Sequence, residues 1–262
     1  MKYFDSHAHY YDERFEDELE GGVDELIGAL LSGEVSHVVN VGTMPSTSRA
    51  ALMQARKFEN MYVAIGVHPG DTRFLDDMAS ALSETEALII EAGEKCVCLG
   101  EIGLDYHYPE TDKENQLRYF HAQMQMAERL GLPVAIHDRE AHEDVMQVIR
   151  AYPGVKGVMH SFSGSAEMAR ELVSLGYMVS FSGTLTFTNA RRPKEAAAAI
   201  PPESVMIETD APYLAPHPLR GSLNHSGNLK YTNATLAGIY GMTEEECAAI
   251  TAANAKRFYR IP

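Results

Sequence analysis

Two hundred and sixty-two residues suit one large domain and lie close to the roughly 250 typical of a single α/β barrel. No run approaches the ~18 apolar residues of a membrane span, while an apolar fraction of 45% is enough for a sizeable core. The net charge of −15 argues against a protein that grips nucleic acid across its whole surface, because such proteins are usually basic. An enzyme that meets an anionic substrate only at a local, metal-charged site remains compatible with it. Met1 to His7 reaches an acid and a histidine at once, unlike the apolar region of a signal peptide. Cys96, Cys98 and Cys247 form an odd set without Cys-x-x-Cys spacing, which predicts free thiols and a soluble, cytoplasmic protein.

Taken in chain order, short apolar or β-branched runs recur at Tyr3–Asp5, Val35–Val41, Tyr62–Val67, Cys96–Ile102, Pro133–His137, Gly157–His160, Tyr177–Ser182 and Val205–Glu208. Most are almost continuously apolar, as expected of strands buried on both faces. Helical spacing separates them. Leu117, Phe120, Met124, Ala127 and Leu130 form the clearest stripe, with Gly131 as its stop signal. Thr243 and Glu246 stand in capping-box spacing at the start of a last helix. The crossover around Arg73–Glu91 is the least regular. Eight strands alternating with helices predict a (β/α)8 TIM barrel, the α/β class, as one domain over residues 1–262.

Six side chains share one position type in that scheme. His7 and His9 end the first strand run, Glu101 the fourth, His137 the fifth and His160 the sixth, and Asp210 follows the eighth. Parallel strands of a barrel all end at one face, so these residues are expected to converge although they span about 200 positions. Imidazole and carboxylate are ligands for Zn, Mn or Mg, and four histidines with two acids exceed the needs of one tetrahedral ion. His68, at the end of the third run, can face the same mouth. His37, His121, His142 and His217 are expected to pack or face solvent. Phosphate-binding Walker loops, dinucleotide glycine motifs and a Gly-x-Ser-x-Gly elbow are all missing from the sequence.

The segments Asp5-Ser6-His7-Ala8-His9, Gly100-Glu101-Ile102-Gly103-Leu104-Asp105-Tyr106, Ile136-His137-Asp138-Arg139, His160-Ser161-Phe162-Ser163-Gly164 and Glu208-Thr209-Asp210-Ala211-Pro212-Tyr213-Leu214 resemble signatures of the TatD family of metal-dependent deoxyribonucleases. The resemblance reaches from residue 5 to Phe258. It implies a hydrolase with two divalent ions per subunit (Mg, Mn or Zn), cutting phosphodiester bonds and often trimming DNA from a 3′ end. His7, His9 and Asp210 would hold one ion, His137 and His160 the other, with Glu101 between them. Asp5 would orient a ligand imidazole. Two departures stand out: Gly70 replaces a usual second histidine, and Ser222, His225 and Ser226 replace a usual lysine, glutamate and proline. Both are expected to touch the rim and the substrate groove.

Glu101 and Asp210 are the expected catalytic residues, Asp210 orienting a two-metal-activated water and taking its proton. Two divalent ions against these two acids leave a local surplus of about +2, enough to draw a phosphodiester to the mouth of an acidic protein. His68, Arg139 and Arg220 are candidate phosphate contacts, and Tyr106 or Tyr213 could stack on a base. The expected partners are single-stranded DNA ends or a small phosphoester, with no membrane and with a monomer compatible with the sequence. A metal-dependent amide, ester or lactone hydrolase acting on a small metabolite is the rival reading, and a non-catalytic metal-binding adaptor is a third.

Overall fold

The computed structural model describes residues 1–262. Eight strands form one parallel sheet in sequence order: β1 Tyr3–Ala8, β2 Val35–Val41, β3 Met61–Ile65, β4 Cys96–Asp105, β5 Val134–Arg139, β6 Gly157–Met159, β7 Met178–Phe181 and β8 Val205–Ile207. Each predicted run overlaps one of these strands, with ends shifted by up to three residues. The helices are α1 Arg14–Glu18, α2 Val23–Ser32, α3 Pro45–Ala55, α4 Met78–Ala92, α5 Lys113–Leu130, α6 His142–Ala151, α7 Ala166–Ser174, α8 Arg191–Ala198, α9 Leu229–Tyr240 and α10 Glu244–Tyr259. None is long and apolar enough to cross a membrane. All three cysteines are buried and free.

Local signals explain the helix ends. Gly131 takes a left-handed backbone after α5, and its N–H returns to the carbonyls of Ala127 and Glu128. Thr243 and Glu246 close the capping box that opens α10. The irregular third crossover resolves into a 3-10 turn at Pro69–Phe74 followed by α4, which starts where the Asp77 carboxylate accepts from the Ala79 N–H.

The sheet closes at the mouth through residues just past β8. The His9 N–H donates to the Ala211 carbonyl at 2.7 Å and the Asp210 N–H to the His7 carbonyl at 2.9 Å. Residues of the expected metal site therefore form the seam that completes the barrel. At the opposite end Phe4, Val39, Ala64, Cys98, Ala135, Val158 and Met206 meet beneath Tyr259 and Ile261. Tyr259 stacks on Phe4, and its hydroxyl donates to the Ser6 carbonyl at 3.0 Å, so the end of α10 plugs the barrel. The larger apolar cluster lies between the sheet and the helices, as a two-layer barrel requires.

Candidate metal centre

His7, His9, Glu101, His137, His160 and Asp210 converge at the carboxyl-terminal mouth. The register of β1 against β2 is irregular between Asp5 and Ala8, a stretch that includes His7, and the Nε2 atoms of His7 and His9 lie 3.2 Å apart. On β4, Gly103 has φ +132°, and a Cβ there would collide with the His137 carbonyl. The missing side chain lets β4 press against β5 beside Glu101 and His137.

Glu101 divides the cluster. Its Oε1 lies 2.8 Å from His137 Nδ1, 2.9 Å from His160 Nε2 and 3.7 Å from His68 Nε2. Its Oε2 lies 3.3 Å from His7 Nε2 and 3.8 Å from His9 Nε2. Asp210 completes that second side, with Oδ1 3.3 Å from His9 Nε2 and 3.7 Å from His7 Nε2. One carboxylate thus faces two sets of donors with its two oxygens.

The outer nitrogens leave the inner ones free to serve as ligands. His9 Nδ1 donates to the Val41 carbonyl at 2.7 Å, His160 Nδ1 to Glu208 Oε1 at 3.0 Å, and His137 Nε2 to Asp105 Oδ2 at 3.2 Å. A neutral ring with its proton fixed outward turns a lone pair inward. At His160 and His137 that lone pair faces Glu101 Oε1, and at His9 it faces Asp210. Lone pair against carboxylate is repulsive unless a cation is shared among them, so the donor set fits divalent ions.

The electrostatics of the cluster fit the same donor set. Burial raises the Glu101 carboxyl, but the imidazoles of His160, His68 and His7 outweigh it and hold that carboxyl well below its ordinary range. Burial also raises Asp210, yet its hydrogen bond with His9 and the charges of the neighbouring imidazoles bring it to about 2. Burial lowers His137, but Asp105 and Glu101 push it up to about 9, and Glu101 with Glu208 push His160 well above its usual value. The carboxylates call for positive charge at this place, and a divalent ion satisfies that demand in exchange for protons.

A family model described as TatD-related DNase matches residues 4–260. The chain belongs to the TatD family. A hydrolase named YabD from Bacillus subtilis (strain 168) is 40% identical over 260 residues, covering 98% of this chain and 99% of that protein. One named YcfH from Escherichia coli (strain K12) is 32% identical over 98% of this chain and 95% of its own length. Both carry the description uncharacterized metal-dependent hydrolase. Among solved structures, YJJV, a TatD homolog from Escherichia coli K12, superposes with a TM-score of 0.90 at 26% identity, over 99% of this chain and 98% of that one. A dihydroorotase from Campylobacter jejuni, at 14% identity and a TM-score of 0.61, shares the fold. This TatD chain is a metal-dependent hydrolase on a TIM barrel.

Sequence reasoning did not assign the anchors of this TatD site. Glu208 is buried, and its Oε1 accepts from both His160 Nδ1 and the Ser161 N–H, the latter at 2.6 Å. Asp105 holds His137. Both lie inside the quoted motifs, so position in a motif was the available signal. Glu208→Gln is expected to weaken divalent-ion affinity by about tenfold or more while the barrel stays folded, because the ring loses a charged acceptor. Titration with Mn2+ checks this, and unchanged affinity would remove Glu208 from the site's support.

Asp5 does not orient an imidazole. Its Oδ1 accepts from the Thr209 N–H at 3.0 Å and the His7 N–H at 3.3 Å, and its Oδ2 from the Thr209 and Ser226 hydroxyls, both at 2.6 Å. It ties the end of β1 to the segment after β8. The departures at 222–226 also lie elsewhere than expected. Asn224 and Ser226 are buried, Asn224 Nδ2 donates to the carbonyls of Thr209 and Tyr213, and Ser226 bonds Asp5 and Tyr10. His225 accepts from the Gly227 N–H and caps a 3-10 turn. Only Ser222 is exposed, bonded to the Leu219 carbonyl. This strap braces the loop that carries Asp210 and Tyr213.

The proposed substrate contacts divide. Arg139 and Arg220 are exposed at the rim, Arg139 5.7 Å from the Tyr108 ring and Arg220 4.4 Å from the Phe187 ring. Tyr213 is exposed, with its hydroxyl on Asp12 at 2.6 Å and the Arg14 guanidinium 5.7 Å from its ring. Tyr106 is placed less freely. Its ring is partly buried and its hydroxyl donates to Asp144 at 2.8 Å, so a base has less of it to stack on than the sequence suggested. His68 stands at the mouth beside Glu101 and His137.

Proposed function

We propose that this chain is a deoxyribonuclease that trims single-stranded DNA from its 3′ end, using two divalent ions held at the barrel mouth. The observation that favours a polynucleotide over a small metabolite is the pairing of cations with aromatic rings around that mouth. Arg14 with Tyr213, Arg73 with Phe74, Lys113 with Tyr106, Arg139 with Tyr108 and Arg220 with Phe187 all lie at the carboxyl end of a strand or on a segment that follows one, on the site's own face. Exposed Tyr108, Tyr213 and Phe74 offer ring faces to bases, and the neighbouring cations meet phosphates, which is the combination that holds single strands.

His7, His9 and Asp210 would hold one ion and His137 and His160 the other, with Glu101 shared. Such ions, when bound, supply Lewis acidity that polarises a phosphoryl oxygen and acidifies water. The chain's own residues do the rest. The side chain of Asp210 is 14% exposed against 4% for Glu101, so Asp210 is the carboxylate that meets entering water, orients it and takes its proton. Arg139 and Arg220 hold the flanking phosphates, and the paired rings keep the strand end in register with the mouth.

The reading is tested with single-stranded oligonucleotides labelled at either end, run beside a panel of small amides, esters and lactones. Expected are mononucleotides released from the 3′ end, and an Arg220→Ala variant with KM raised several-fold and kcat changed less. Turnover of an amide or lactone without nucleotide release would overturn the reading. The strap at 222–226, buried at Asn224 and Ser226, braces the Asp210 loop and gives no support to that rival.

A further inference from the structure

His68 is wired in the opposite sense to its neighbours. The anchored rings of His9, His137 and His160 each give a proton to an oxygen acceptor and turn a lone pair toward the acids. His68 Nδ1 instead accepts a hydrogen bond, 3.0 Å from the Gly70 N–H. An imidazole nitrogen that accepts carries no proton, so in the neutral ring the proton sits on Nε2. That N–H points into the mouth, 3.7 Å from Glu101 Oε1, which is beyond a hydrogen bond. Gly70 leaves room for this contact: a Cβ there would stand 3.1 Å from Nδ1 and 3.2 Å from Cε1, so the ring would have to give by a few tenths of an ångström.

The geometry points to His68 as a catalytic hydrogen-bond donor to the substrate, excluded from the metal ligands although its ring nitrogen groups with Glu101 and His137 within 4.8 Å. Its Nε2–H donates to the non-bridging oxygen of the phosphoryl group and keeps its proton, so no covalent step passes through it. The side chain is 18% exposed, beside the 17% of His137 and above the 1% of His7 and 5% of His160, so its ring edge is open to a substrate entering the mouth. Packing holds the ring edge-on to His137 with centroids 4.4 Å apart, so it is pre-oriented. This inference rests on the phosphodiesterase reading only for the identity of the oxygen; a carbonyl oxyanion would use the same donor.

The test is nitrogen-15 NMR of the imidazole rings in the full-length protein, titrated with Zn2+ alone. His68 is expected to show an unprotonated Nδ1 and a protonated Nε2 both before and after two equivalents, while the Nε2 signals of His9 and His160 move. Loss of the His68 Nε2 proton on adding Zn2+ would make it a ligand and overturn the inference. In parallel, His68→Ala is expected to lower kcat about 10²–10³-fold with metal content unchanged, and His68→Gln, which keeps an N–H, to recover part of that loss. A His68→Ala protein that loses one equivalent of metal would equally contradict it. The tautomer and the metal count need no substrate, so a failed nuclease assay leaves this test standing.

Discussion

Glu101→Ala is expected to lower kcat by more than about 10³-fold and to strip both divalent ions, with circular dichroism and hydrodynamic size unchanged. Its two oxygens serve two donor sets, so a single substitution removes a ligand from each. The four imidazoles left behind carry no negative charge, and Asp210 alone cannot balance two cations. The barrel survives because the polar contacts of the Glu101 side chain are confined to the mouth, while the strands are held by their ladders and by the clusters on both sides of the sheet. Metal analysis of the purified variant beside the wild type decides the matter. Activity that persists after chelation, in variant or wild type, would contradict a metal-dependent mechanism at this site.

Asp5→Ala is expected to act on stability, costing about 3–5 kcal/mol and lowering Tm by roughly 10 °C. Four donors converge on this buried carboxylate from His7, Thr209 and Ser226, and alanine leaves them without an acceptor. The loss falls at the closing seam, where β1 meets the segment after β8, so the positions of His7 and Asp210 loosen together. Burial raises the Asp5 carboxyl to about 6, against the opposing pull of its hydrogen bonds. Since this lies above the unfolded value, the native state binds that proton more tightly. The stability that Asp5 contributes through protonation is fully present at low pH and is lost as the pH rises through about 6. Asp5→Asn flattens that part of the profile. Thermal unfolding from pH 4 to 7 checks both variants, and an Asp5→Ala protein as stable as the wild type would show that the seam is held by its backbone bonds alone.

Much of this architecture was legible because barrel strands are buried on both faces and therefore read as apolar runs. Their carboxyl ends could be placed to within a few residues, and that precision was enough to gather His7, His9, Glu101, His137, His160 and Asp210 at one face. The anchoring layer was harder to read. Nothing in the spacing of Glu208 and Asp105 says which ring each one holds, since that depends on β6 lying near the end of β8 and on the register of β4 against β5. Asp5 was misread for a similar reason: its partners Thr209 and Ser226 are more than 200 positions away and become neighbours only when the barrel closes. The strap around Asn224 and Ser226 looked like variable rim in the sequence, and burial shows it to be a brace. The tautomer of His68 is set by one backbone N–H, which leaves no trace in residue type.

Anomalous diffraction from crystals soaked in Mn2+ tests the shared-carboxylate centre most directly. The geometry predicts two peaks within bonding reach of Glu101, one bounded by His7, His9 and Asp210 and the other by His137 and His160. A lone ion bound without Glu101, or ions only elsewhere on the molecule, would contradict it.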